Sequence, residues 1–169
     1  MDYCDERSLP LWLVSEQRSR FNYHFNDRVP VVMAEIHTEI PERCDLHTML
    51  QEPVVKAVMF LTAQEVREGP LSFMPHARST QWFIHGQDII PAEGGKLPAM
   101  RFMAEANGWT PDELMAFGDS ENDNEMLRYA GTGVAMGNAL EETKAASDYV
   151  TDDCDDEGVA HALAHFALI

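Results

Sequence analysis

Positive charge is scarce in this sequence. Twelve Lys and Arg stand against 29 Asp and Glu, a formal net charge of -17 over 169 residues. Such a surface repels phosphate backbones and anionic lipid, so neither nucleic acid nor membrane is an expected partner. Long apolar runs are also missing, and none approaches the roughly 20 residues needed to span a bilayer. The opening stretch Met1-Asp2-Tyr3-Cys4-Asp5-Glu6 is acidic and has neither the basic nor the apolar region of a secretory leader, which makes the cytoplasm the expected compartment. Cysteine is confined to Cys4, Cys44 and Cys154. Widely spaced and odd in number, they form no disulfide framework and no Cys-x-x-Cys pair, and are expected as small buried residues.

Several catalytic signatures are absent as well. There is no Gly-x-Ser-x-Gly nucleophile elbow and no His-Glu-x-x-His zinc helix. Gly94-Gly95-Lys96 starts like a phosphate-binding loop, but Leu97 stands where a Walker site needs Ser or Thr. The glycines of Gly131-Thr132-Gly133-Val134-Ala135-Met136-Gly137 precede and end a strand pattern, whereas a dinucleotide loop follows one. His161 and His165 are four apart, a spacing open in principle to a metal pair, though near a chain's end it better suits a helix dipole.

What is present reads as two regions. Residues 1–91 carry strand signals at 11–14, 20–25, 54–61, 71–74 and 80–85, with a helix after Asn26 and no long helices between strands. That pattern predicts an α+β unit, a mostly antiparallel sheet with helices on one face. Residues 92–169 alternate regularly: helix 98–107, strand 114–117, helix 122–130, strand 133–136, helix 139–147, strand 148–151, helix 157–167. This is βαβαβ, half of a doubly wound parallel sheet, so the fold class is α/β. Gly108 is the expected stop of the first of these helices, and Thr110-Pro111-Asp112-Glu113 a fresh start.

One stretch organises the second region: Leu114-Met115-Ala116-Phe117-Gly118-Asp119-Ser120-Glu121-Asn122-Asp123. A short apolar run suits a strand buried on both faces, and ligand sites of open α/β sheets lie beyond the carboxyl ends of such strands. Two readings of its acids stand side by side. They match a helix start, with Asp119 or Ser120 as cap. They equally match a site for a hard divalent cation, Mg2+ before a transition metal, because every donor is oxygen. An EF-hand does not fit, since Asn124 and Ala130 occupy its glycine and glutamate positions.

In order, Lys96, Gly118-Asp119-Ser120-Glu121-Asn122-Asp123, Gly133-Val134-Ala135-Met136-Gly137-Asn138-Ala139, Lys144-Ala145-Ala146-Ser147-Asp148-Tyr149-Val150 and Asp156-Glu157-Gly158-Val159-Ala160 resemble the carboxyl-terminal half of the haloacid dehalogenase superfamily. The likeness is to its Cof-type phosphatases with an inserted cap. It is dense over residues 91–166 and looser over 1–90, which it assigns to the cap. The resemblance implies hydrolysis of a phosphate monoester, a small phosphorylated sugar or cofactor, with Mg2+ and through an aspartyl-phosphate. It further implies Asp119 as a direct metal ligand and Asp123 as an outer-shell or auxiliary one. Asn122 would bond the phosphoryl group, and Lys96 would neutralise it and hold the nucleophile.

Two departures accompany it. Leu97 replaces the glycine that often follows the lysine. The family's nucleophilic Asp-x-Asp lies upstream of the cap, and no match to it occurs here; Asp153-Cys154-Asp155 follows the wrong strand and continues into Asp156 and Glu157. The chain is therefore expected to be weakly active or inactive alone, with a non-catalytic metal- or phosphate-binding or self-assembling module as the alternative. An apolar sheet edge left uncovered beside the strand at 114–117 would favour a homodimer or pairing with a missing segment.

Overall fold

The computed structural model describes residues 1–169, which separate into two compact units, Met1–Glu93 and Gly94–Ile169. An antiparallel sheet forms the centre of the first and a parallel sheet that of the second, the mixed α/β architecture of a cap joined to half of a Rossmann-like core. No helix is long and apolar enough to cross a membrane.

The first unit runs α1 (Asp2–Glu6), β1 (Leu11–Ser15), β2 (Ser19–Phe21), α2 (Arg28–Glu35), β3 (Val54–Met59), α3 (Ala63–Glu68), β4 (Ala77–Phe83) and β5 (Gly86–Pro91). Its strands lie in the order β2-β1-β3-β5-β4, every neighbour antiparallel. Helical segments cover both faces of this sheet, where the sequence pattern predicts one. Leu11, Leu13, Met59 and Ile89 pack with Cys4 of α1, with Leu46 and Met49 of a 3-10 turn (Leu46–Gln51), and with Val66 of α3. Phe21, Val58 and Phe60 pack with Val29, Val32 and Met33 of α2. The reason is visible in β1, where Leu11-Trp12-Leu13-Val14 offers apolar side chains to both sides, as a doubly covered strand must.

Two predicted strands change. The run at 71–74 is instead a 3-10 turn, Pro70–Phe73, because Pro70 occupies its first position, where a missing N–H costs nothing. The strand at 20–25 ends at Phe21, since the buried Asn22 side chain takes over its edge. Asn22 Oδ1 accepts from the Leu11 N–H at 3.0 Å, and Nδ2 donates to the Leu9 carbonyl at 2.9 Å.

The second unit runs α4 (Lys96–Asn107), β6 (Met115–Gly118), α5 (Asn124–Tyr129), β7 (Thr132–Ala135), α6 (Glu141–Lys144), β8 (Tyr149–Val150) and α7 (Gly158–His165). The strands β6-β7-β8 are parallel and in sequence order, leaving one edge of β6 unpaired. α4 stops at Gly108, whose φ of 71° and ψ of 25° are the left-handed cap conformation that glycine adopts without penalty. Thr110 then opens a short turn, its N–H donating to Glu113 Oε2 at 2.8 Å. The helix predicted at 139–147 is reduced to α6, followed by a turn at 145–146. Of the cysteines only Cys4 is buried; Cys44 is half-buried and Cys154 exposed, which corrects the expectation of three core residues.

Candidate active site

The site is built where β6 ends. Ala116 is buried between α5 and the sheet with Leu127 and Ala130, so the strand's register is set by its apolar side chains. Gly118 follows. A Cβ there would lie 2.3 Å from Cβ of Asp123 and 2.7 Å from its Cγ, so glycine is what allows that acid to fold back against the strand. The carbonyls at and just past the strand end are held from β7's side: the Met136 N–H donates to the Gly118 carbonyl at 2.9 Å and the Leu140 N–H to the Asp119 carbonyl at 3.1 Å.

Asp123 is only 1% exposed, and both of its carboxylate oxygens are engaged. Oδ2 accepts from the backbone N–H of Asp119 at 3.1 Å and of Ser120 at 3.3 Å. Oδ1 meets Lys96 Nζ at 2.5 Å. An ionised acceptor of this kind makes strong, short hydrogen bonds and answers the cost of burying the charge. Lys96 is the first residue of α4, and it follows Gly95, whose φ of 121° no other residue takes comfortably. Its side chain is 48% exposed, although its ammonium is anchored on Asp123.

Asp119 stands differently. It is exposed just past the strand, and its carboxylate has no hydrogen bond or ion pair within the chain. Asn122 is half-buried, and its Oδ1 is shielded from solvent with no partner. The structure thus joins Lys96 directly to Asp123, and Asp123 to Asp119 through the backbone; the Asn122 side chain bonds to none of them. Asn124 was not singled out by sequence, yet it is buried and its Oδ1 is likewise unpartnered. Its signal was an amide at the first position of a helix face that otherwise carries Leu127 inward.

The helix-start reading of the acidic stretch is seen in the fold, with Ser120 at the cap position. Glu121–Asp123 is a 3-10 turn leading into α5, and Asp123 serves it by accepting the Ser120 N–H. Asp119 takes no part in capping by its side chain. The residues fit Mg2+ in donor chemistry: a free carboxylate with an unsatisfied amide oxygen nearby in sequence, all oxygen, for an ion usually held by one or two carboxylates with water and phosphate oxygens.

A strand-end acid and an anchored lysine at a helix start stand where open α/β sheets place their ligand sites. A profile of the haloacid dehalogenase-like hydrolases matches residues 1–163. The chain belongs to that family. Among curated proteins it is 29% identical over 166 residues to the putative phosphatase YkrA of Bacillus subtilis, covering 98% of this chain and 63% of YkrA. It is 33% identical over 152 residues to a phosphoglycolate phosphatase of Methanothermobacter thermautotrophicus, covering 85% of this chain and 67% of that protein. Among solved structures, the subclass IIB sugar phosphatase BT4131 superposes with a TM-score of 0.86 at 29% identity, over 99% of this chain and 64% of that one. BT1666 of Bacteroides thetaiotaomicron does so with a TM-score of 0.83 at 26% identity, over all of this chain and 63% of that one. The chain therefore spans just under two thirds of the length of YkrA and of both solved phosphatases.

Proposed function

We propose that this chain is the cap, residues 1–91, and the carboxyl-terminal half core, residues 92–169, of a Mg2+-dependent phosphate monoesterase acting on a small phosphorylated sugar or cofactor. The observation that carries the reading is the Lys96–Asp123 pair, 2.5 Å across, seated at the end of β6 beside the free carboxylate of Asp119. Relatives that are phosphatases support it.

The division of labour follows from charge. The surface is strongly acidic, so a phosphorylated substrate needs local positive charge at the site itself. Lys96 supplies part of it: Asp123 holds its Nζ in place, and the ammonium neutralises the phosphoryl oxygens. Asp119 would hold Mg2+ directly, with Asp123 as an outer-shell group, and the ion when bound would withdraw charge from the phosphoryl group. Asn122 donates its amide N–H to a phosphoryl oxygen. Phosphoryl transfer asks for positioning and charge neutralisation above all, and these are the roles assigned. The attacking carboxylate lies outside residues 1–169 on this reading, so these residues alone turn over weakly or not at all. Cytoplasmic residence belongs to the same reading and is supported by three free cysteines.

The test is the binding of inorganic phosphate with and without Mg2+, read by calorimetry. Mg2+ should tighten phosphate binding to the chain; Asp119→Ala should remove that gain, and Lys96→Ala should weaken binding with or without the ion. Phosphate binding indifferent to Mg2+ and to both substitutions would end the proposal. Hydrolysis of p-nitrophenyl phosphate with Mg2+ gives the parallel readout, any turnover being lost in Asp119→Ala. The unpaired edge of β6 favours association, to a homodimer or with a separate segment, because such an edge presents free N–H and C=O groups. Sedimentation finding only monomer at micromolar concentration would remove that part.

A further inference from the structure

The first unit holds a cluster of ligating side chains that the proposed phosphatase chemistry leaves unused. Asp2 and Asp5 lie three apart on α1 and so share one face of it. His47, in the turn Leu46–Gln51, brings Nε2 to 3.5 Å from Asp5 Oδ2 and 3.8 Å from Asp2 Oδ1. One donor atom from each of the three side chains falls within 4.8 Å of the others. On the far side of Asp5, His24 Nε2 is 3.3 Å from Oδ1. One imidazole and two carboxylates therefore meet, with a second imidazole behind Asp5, from three separate segments of chain.

These separations suit an ion better than they suit the side chains alone. At 3.5 and 3.8 Å the His47 contacts are too long for good hydrogen bonds. Ligands about 2.0–2.2 Å from a tetrahedral ion stand roughly 3.3–3.6 Å apart, a range that holds the His47–Asp5 contact at 3.5 Å and falls just short of the His47–Asp2 contact at 3.8 Å. The frame is also well supported. Cys4, between the two aspartates, is buried in the core, which anchors α1. The His47 N–H donates to Asp45 Oδ1 at 3.0 Å, which anchors the other side. A cavity of about 290 Å³ lined by Asp5, His24, Asn22 and Cys44 opens beside the cluster, leaving room for a water or exogenous ligand.

We propose that Asp2, Asp5 and His47 form a second cation site, for a borderline divalent metal of the Zn2+ class, with His24 orienting the Asp5 carboxylate from behind. The imidazole nitrogen selects against Mg2+ and Ca2+, which take oxygen ligands. Three protein ligands leave a fourth position open to solvent. His24 acts through Asp5 as a positioning residue, a common outer-shell role.

The test uses Co2+ as a spectroscopic stand-in, on the full chain carrying Asp119→Ala so that the core site is silent. One Co2+ should bind with visible d–d absorption, without thiolate charge-transfer bands in the near ultraviolet, and be displaced by Zn2+ but not by excess Mg2+. His47→Ala or Asp5→Asn should abolish the band. His24→Ala should keep it and weaken binding about 10-fold. All these side chains are partly exposed, so the variants should fold, and circular dichroism checks that. A band that survives His47→Ala, or no Co2+ binding in the folded protein, overturns the site and leaves the four residues as ion pairs.

Discussion

Replacing Asp123 by Asn is the sharpest probe of the strand-end loop, because it preserves shape and removes one charge. Asp123 accepts three hydrogen bonds, from the N–H groups of Asp119 and Ser120 and from Lys96 Nζ. An asparagine has one oxygen for these donors, and its amide nitrogen must face either the ammonium or the two backbone N–H groups. Keeping the oxygen on the backbone retains those bonds in neutral form, at about half their charge-assisted strength, a loss of about 1 kcal/mol. The Lys96 link is then broken. Because that side chain is 48% exposed, it can swing into water, and solvent screening holds the loss to about 1 kcal/mol. The expected destabilisation of the second unit is thus about 2 kcal/mol. A double-mutant cycle with Lys96→Met should return about 1 kcal/mol of coupling. Urea unfolding followed through Trp109 reads this unit, while Trp12 and Trp82, both in the first unit, are replaced by Phe in every member of the series. An Asp123→Asn cost below about 0.5 kcal/mol, or no coupling to Lys96, would mean that the carboxylate does not hold the loop.

Gly118→Ala should lower the melting temperature of the second unit and weaken phosphate binding together, because the added methyl displaces Asp123; overpacking of this kind costs about 1–3 kcal/mol. Asn22→Ala should destabilise the first unit by about 1–3 kcal/mol, since the Leu11 N–H and Leu9 carbonyl lose their partner in a buried place; unchanged urea unfolding would refute it. Glu65 supplies the acid limb. The Arg28 guanidinium grips it at 2.7 and 3.0 Å, Thr62 adds hydrogen bonds, and its carboxyl is held at about 2 against an ordinary 4.5. The unfolded chain therefore binds that proton more readily, so this stabilisation is full above pH 4.5 and is lost as pH falls towards 2. With Glu65 43% exposed, screening leaves about 1 kcal/mol, and Glu65→Gln should remove it and flatten the acid dependence of unfolding.

The second unit was the more legible half. Its strands are short apolar runs between helical stretches, and that local alternation suffices to order β6, α5 and β7 as they stand. Gly118 and the acids after it mark a strand-end site because residue type and spacing are themselves the signal. The first unit was harder, since whether β1 buries one face or two depends on what arrives from distant segments; α2 and α3 settle it from opposite sides. Pro70 turned a strand-like tetrapeptide into a 3-10 turn, a local rule that the alternation of Leu71 and Phe73 obscured.

Residue chemistry alone determined which groups can carry charge at the end of β6: a lysine after two glycines, and acids with an amide next to them. Only the tertiary structure decided which of those charges is spent on the fold. Asp119 and Asp123 are indistinguishable as side chains, yet one is exposed and free while the other is buried against a lysine 27 positions away and two backbone N–H groups. That difference is made by desolvation and by long-range contact, neither of which is a property of a residue or of its neighbours in sequence. The meeting of Asp2, Asp5 and His47 has the same origin, since it exists only once α1 and the turn at Leu46 share a core.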